Sequence, residues 1–283
     1  MNRSRLMLIA SMAIFGTLAP FVRNIPVSSG ELALYRAVMA AVLIGAYLMI
    51  TGQPIVLSRI RRDLPALLLS GMAMGINWIL LFEAYKYTTV ALSTLSYYFA
   101  PVIVTALCPI LFREKLKKKQ LVCFLMSTLG LALIIGVSGS GRGSNDRLGI
   151  CFGLGAACFY AAVILLNKFI RDIGGLHRTL LQFLAAIVIL VPYVLLTGGI
   201  TLGAVGAMGW VCLPVVGLVH TGLAYCLYFS ALKDVPGQTA AILSYIDPLV
   251  AVVIGVTVLG EPLSWQQLLG GCLILGFTLW NEL

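Results

Sequence analysis

Charge is what this sequence has least of. Only 10% of its 283 residues are Asp, Glu, Lys or Arg, against roughly a quarter in soluble domains, while 60% are hydrophobic and the mean hydropathy is +1.03. That excludes a water-soluble monomer. Acids number ten and histidines two, and no H-E-x-x-H or pair of deep aspartates occurs. An intramembrane protease or lipid-modifying transferase therefore lacks its parts, and the chain reads as a non-enzyme. No G-x-x-x-x-G-K-[ST] loop is present, so ATP is not the direct energy source within this chain. The seven cysteines form no C-x-x-C pair and lie in apolar stretches without a nearby His, which reads as packing; no metal or cofactor is expected.

Apolar runs are what is there. Spans of about 20 residues need little between them, so this length holds roughly ten and no sizeable extramembrane domain. Breaks at charged or Gly/Pro-rich points predict helices over 6–22, 29–50, 64–84, 89–111, 119–138, 148–168, 177–197, 207–230, 238–258 and 264–281. The first run continues through Leu18-Ala19-Pro20-Phe21 without a small-x-small cleavage site, and so is read as a retained span. Ser138 to Asp146 is hydrophilic and Gly/Ser-rich, a linker.

A shift of 147 positions aligns Gly75 with Gly222, Phe82 with Phe229, Ala84 with Ala231, Lys86 with Lys233, Tyr98 with Tyr245, Pro101 with Pro248 and Glu114 with Glu261, without a gap. The chain is therefore read as a repeat over 1–138, a linker at 139–147 and a second repeat over 148–283. An odd number of spans per repeat inverts the second copy, and charge tests this independently. With the N-terminus inside, the inner segments hold Arg3, Arg5, Arg59, Arg61, Arg62, Arg113, Lys115, Lys117, Lys118, Lys119, Lys168, Arg171, Arg178 and Lys233; the outer ones hold Arg23, Lys86, Arg142 and Arg147. The positive-inside rule then places both termini in the cytoplasm. The net charge of +9 thus serves orientation and anionic lipid, not nucleic acid. The predicted fold class is an all-α membrane protein of ten transmembrane helices in two inverted five-helix repeats, an arrangement suited to alternating access.

The block Tyr97-Tyr98-Phe99-Ala100-Pro101 to Glu114, its echo Ser244-Tyr245-Ile246-Asp247-Pro248 to Glu261-Pro262, and Arg36 early in the second span resemble the EamA type within the drug/metabolite transporter superfamily. Phe15-Gly16 stands where members often carry Trp-Gly, and the second repeat has no counterpart of Arg36. The resemblance spans essentially the whole chain. It implies export or exchange of amino acids, sugars, nucleotide derivatives or other metabolites across the cell (inner) membrane.

Asp247 is the residue that apolar surroundings explain least. A carboxylate in mid-span costs on the order of 3 kcal/mol or more, so it faces a polar cavity, takes up a proton or holds a substrate amine; alternatively it is a kink carboxylate satisfied by hydroxyls such as Ser244. His220 is the second coupling candidate, as a proton relay or as a hydrogen-bonded packing residue. Pro101 and Pro248 each remove a backbone hydrogen bond and are read as matched kinks, candidate hinges. Asn77, Trp78, Tyr97, Tyr98, Tyr160, His220, Tyr225, Ser244 and Asp247 are the candidate substrate contacts, each alone equally a packing residue. Arg36 either snorkels, pairs with Glu31 or meets an acidic ligand. Glu114 and Glu261 read as caps on the helices that follow them.

These features predict a secondary active transporter, an exporter or exchanger of a small polar metabolite such as an amino acid, with a proton as candidate coupling ion and membrane lipid as its other partner. The alternative on the same scaffold is a flippase for lipid-linked substrates or a non-transporting membrane sensor.

Overall fold

Hydrogen bonds that water cannot supply must be made inside each spanning segment, and the chain answers with helices throughout. The structure is a computed structural model that describes residues 3–53, 61–112, 118–136, 145–167, 169–170, 173, 175–232, 235 and 243–282. Glu114, most of the linker and Lys233 lie outside the described residues.

In chain order the helices are α1 (Arg3–Gly16), α2 (Leu18–Arg23), α3 (Ser29–Ile50), α4 (Leu64–Tyr87), α5 (Val90–Tyr97), α6 (Ala100–Phe112), α7 (Lys118–Gly136), α8 (Asp146–Asn167) and α9 (Gly175–Thr197). They continue with α10 (Ala207–Pro214), a π-helical segment (Val215–Leu223), α11 (Ala224–Leu232), α12 (Ile246–Thr257) and α13 (Trp265–Glu282). Among the described residues six stretches are long and apolar enough to cross a membrane, and three more are shorter apolar helices. Leu196, Met49 and Trp265 are strongly exposed, as lipid-facing side chains are.

Side-chain caps decide where several helices start. Ser28 accepts from the Glu31 N–H at 3.1 Å to open α3, and Thr89 accepts from the Leu92 N–H at 3.2 Å to open α5. Ser264 and Gln267 cap reciprocally at the head of α13, each backbone N–H donating to the other's side chain. That corrects the expectation for Glu261: it does not cap the helix after it. Its Oε2 instead accepts from the Val90 N–H at 2.8 Å, at the start of α5, while Oε1 pairs with Arg23 of α2. A carboxylate from late in the chain thus serves a helix N-terminus in the other half.

Small residues set the packing, as expected where lipid supplies no hydrophobic drive between helices. Helix α4 lies against α8 and α9, α3 against α9 and the π segment, α11 and α12 against α1, and α7 against α13. At Gly71 of α4 a Cβ would overlap the Gln182 carbonyl of α9 and stand 2.6 Å from the Ala185 Cβ. Gly71→Val is therefore expected to lower the thermal unfolding midpoint in detergent, at a cost of about 1–3 kcal/mol, the usual range for overpacking; an unchanged midpoint would mean that the two helices separate freely.

Four irregularities interrupt the spans. Thr17 separates α1 from α2, Tyr98 and Phe99 separate α5 from α6, Tyr245 precedes α12, and the π segment sits between α10 and α11. The prolines lie just after two of these interruptions, Pro101 second in α6 and Pro248 third in α12, so that each break falls between the proline and the residue four before it. The physical reason is that proline has no N–H for the carbonyl four residues back and its ring crowds that carbonyl, so the helix is interrupted between them.

Candidate functional site at the helix breaks

The breaks meet one another. Tyr98, in the interruption between α5 and α6, donates its hydroxyl to Asp247 Oδ2 at 2.7 Å. Asp247 lies in the first turn of α12, where the helix dipole favours a carboxylate. Gly16, last in α1, packs on that turn: a Cβ there would stand 2.6 Å from the Asp247 carbonyl oxygen and 2.7 Å from the Val250 Cβ. Thr17 Oγ1 lies 3.1 Å from His220 Nε2 in the π segment, and His220 Nδ1 lies 3.2 Å from the Val215 carbonyl. Thr221 donates to the Val216 carbonyl at 2.9 Å and accepts from Arg36 Nε at 3.0 Å. Irregular backbone at membrane depth is tolerated where it is enclosed by protein or lines a cavity, and π segments concentrate at functional sites.

Two runs of aromatic rings lead away from this junction. Tyr98 meets Tyr97 edge-on with centroids 5.8 Å apart, and Tyr97 stacks on Tyr160 of α8 at 5.1 Å. In the second run Tyr225 of α11 lies edge-on to Phe15 at 5.2 Å and to Phe183 at 5.3 Å, and Phe183 touches Trp78 at 5.5 Å. Trp78 carries the Arg36 guanidinium, whose central carbon lies 4.4 Å from the ring centroid and 5.2 Å from that of Phe82.

The structure gathers Tyr97, Tyr98, Tyr160 and Asp247 in one group and Trp78 with Tyr225 in the neighbouring one. It sends two other candidates to structural tasks. Asn77 donates to the Ala156 carbonyl at 2.7 Å, holding α4 on α8. His220 is buried, tilted against Phe21 with ring centroids 4.9 Å apart, and bonded at the α1 break. Ser244 is half-buried just before the Tyr245 break, but the hydroxyl bonded to Asp247 is that of Tyr98, from the other half of the sequence.

Arg36 departs further from expectation. It neither snorkels nor pairs with Glu31: it is 3% exposed and makes no salt bridge with any described carboxylate. Glu31 accepts instead from Tyr35 and from the Thr201 backbone and hydroxyl. Sequence reasoning missed Phe15 and Phe183, ordinary aromatics in apolar helices whose convergence only packing produces. It also missed the Gly16-Thr17 break, which Pro20, four residues after Gly16, could have announced. Among the described residues no three of His, Cys, Asp and Glu gather as a metal site requires.

Comparison with known proteins gives the group a context. A family profile described as an EamA-like transporter family matches residues 3–136 and again 147–281. An uncharacterised transporter of Bacillus subtilis, YxxF, is 31% identical over 269 residues, covering 93% of this chain and 84% of the relative. An uncharacterised transporter of Archaeoglobus fulgidus is 29% identical across 97% of this chain and 95% of its own length. The threonine/homoserine exporter RhtA of Salmonella typhimurium is 28% identical over 162 residues, 56% of this chain and 53% of the exporter. A crystal structure 17% identical in sequence superposes with a TM-score of 0.66, covering 97% of this chain and 94% of that one, a likeness of fold.

Proposed function

The chain belongs to the EamA-like transporter family, and from that premise we propose that this transporter is a secondary active exporter or exchanger of a small polar metabolite, with amino acids as the favoured class. It works by alternating access between inverted halves, 1–138 and 148–283, joined at 139–147. It sits in the cell membrane with both termini in the cytoplasm.

The observation that carries this reading is the hydrogen bond from Tyr98 to Asp247, which joins the interrupted helices of the two halves. Any rocking of one half against the other must remake that contact, and the site then opens to one side or the other. Matched pairings support the inverted symmetry. α4 on α8 is answered by α11 on α1, α9 on α4 by α3 on the π segment, and the α5–α6 pair on α8 by α12 on α1. Tyr98 and Tyr245, which mark the two breaks, are partners under the same shift of 147 that aligns Gly75 with Gly222. The family profile's two successive matches support it as well.

Amino acids are favoured because Asp247 suits an ammonium and aromatic rings enclose a side chain, and similarity to a threonine/homoserine exporter adds support. Asp247 is the group through which a proton gradient acts, binding a proton or the substrate amine by turns.

Reconstitution tests the proposal. Liposomes containing the purified chain and loaded with labelled L-threonine or L-homoserine are expected to release them several-fold faster than protein-free liposomes, and faster again under an inward proton gradient. Release that ignores the gradient would remove proton coupling; release equal to protein-free liposomes across the common amino acids would remove the substrate class. Reporter fusions are expected to place 139–147 outside and both ends inside, and a cytoplasmic linker would break the inverted arrangement.

A further inference from the structure

Arg36 presents a chemistry that the reading above leaves unused. A guanidinium carries five N–H donors in a planar fork, and burying it carries a large penalty unless those donors and the charge are met. Here Nε alone donates to a described residue, Thr221. Neither Nη does so, and neither is fully enclosed. The rings of Trp78 and Phe82 cover the guanidinium and relieve part of the cost of the charge. Unmet by any described residue is the two-pronged edge of the fork, the edge that matches a carboxylate.

The place of this edge relative to Asp247 gives it meaning. Arg36 lies over Trp78, which meets Tyr225 through Phe183, whereas Asp247 takes the Tyr98 hydroxyl beside Tyr97, so cation and carboxylate border two separate aromatic runs and make no salt bridge with each other. A cation without a carboxylate partner beside aromatic rings is complementary to a ligand that carries a carboxylate next to an apolar group.

We propose that Arg36 is the subsite for the substrate's carboxylate. This rests on the amino-acid reading for the Asp247 end and adds the anionic end. Thr221 and the π segment that presents it are the positioning elements: the bond to Nε fixes the fork so that both Nη groups point at the ligand.

Trp78, stacked on the guanidinium, is a built-in reporter. With Trp210, Trp265 and Trp280, all exposed, replaced by Phe, the emission of Trp78 is followed while the purified protein is titrated. The ligands are L-threonine, its deaminated analogue 3-hydroxybutyrate and its decarboxylated analogue 1-amino-2-propanol, with L-phenylalanine, 3-phenylpropionate and phenethylamine as a second set. The expected result is a saturable change with the amino acids and, more weakly, with the carboxylates. Arg36→Lys weakens both by about tenfold, since it keeps the charge and loses the fork, and Arg36→Gln abolishes the carboxylate response while leaving that of the amines. Carboxylates that titrate alike with Arg36 and with Gln, or amines that bind where carboxylates do not, overturn the proposal while leaving an amine at Asp247 intact. Carboxylates that bind through Arg36 without any amine response uphold the subsite and remove the ammonium from Asp247. Silence from every ligand overturns both. Should Arg36→Gln fail to fold, the Arg36→Lys titration and the contrast of acids with amines on the unaltered pocket decide the matter.

Discussion

Asp247→Asn abolishes proton-linked transport while the protein still reaches the membrane and folds. Asn has the shape of Asp and keeps one oxygen, so the Tyr98 hydroxyl, now 2.7 Å from Oδ2, retains an acceptor and the contact between the two halves survives. What disappears is the charge. A hydrogen bond to a charged group contributes about 1.5–3 kcal/mol, so affinity for an amine-bearing substrate falls by roughly 10- to 150-fold, and the response to a pH gradient vanishes altogether. The measurement is flux in liposomes against internal and external pH. Flux by the Asn variant that keeps the unaltered protein's dependence on pH would remove Asp247 from coupling, and unchanged KM would remove it from substrate binding. Tyr98→Phe is the gentler companion: it keeps the stacking chain to Tyr97 and Tyr160 and removes a single donor.

A second large effect is expected from one methyl group at Gly16. The Cβ of Gly16→Ala would stand 2.6 Å from the Asp247 carbonyl oxygen, and backbone in a helix start cannot swing aside as a flexible side chain does. Helix α1 must move away from α12 or carry Asp247 with it. The expected stability cost is about 1–3 kcal/mol, while transport falls by tenfold or more, because displacement of about 1 Å at a positioned group costs about 10²-fold in rate. Gly45→Ala in α3 is the control, since nothing lies within 4 Å of a Cβ there; a helix-interior Gly to Ala change of that kind stabilises by up to about 1 kcal/mol. Thermal unfolding and flux measured on both variants separate packing from site geometry. Equal flux from the two would mean that the meeting of α1 with the Asp247 turn has no part in transport.

Much of the site was legible one residue at a time. Asp247, Tyr98, Trp78 and Arg36 stand out because polar, charged or amphipathic side chains in apolar runs need a reason. Their relations were not legible. Arg36 and Glu31 stand five residues apart in one helix, and the sequence leaves their pairing open; the fold instead gives Glu31 to Thr201 and Arg36 to Thr221, both far along the chain. Asn77 and His220 have the chemistry of ligand contacts, yet neighbouring helices occupy them first: the Ala156 carbonyl takes the one, and Thr17 and Val215 the other. Glu261 shows the same effect at a helix end. Its own following helix is capped locally by Ser264 and Gln267, which frees the carboxylate for Val90 and Arg23.

Hydropathy and the repeated Pro and Glu spacing determine from the sequence alone that this chain lives in lipid as helices and which family it resembles. Those properties are local sums: transfer free energy accumulates residue by residue, and a backbone without water must bond within its own segment. Which side chains face one another is decided only when the helices pack. Contacts between segments more than a hundred residues apart depend on where glycines let backbones touch and where a helix stops. A break at Thr17, Tyr98 or Tyr245 matters because another break lies beside it, and no single stretch of sequence carries that information.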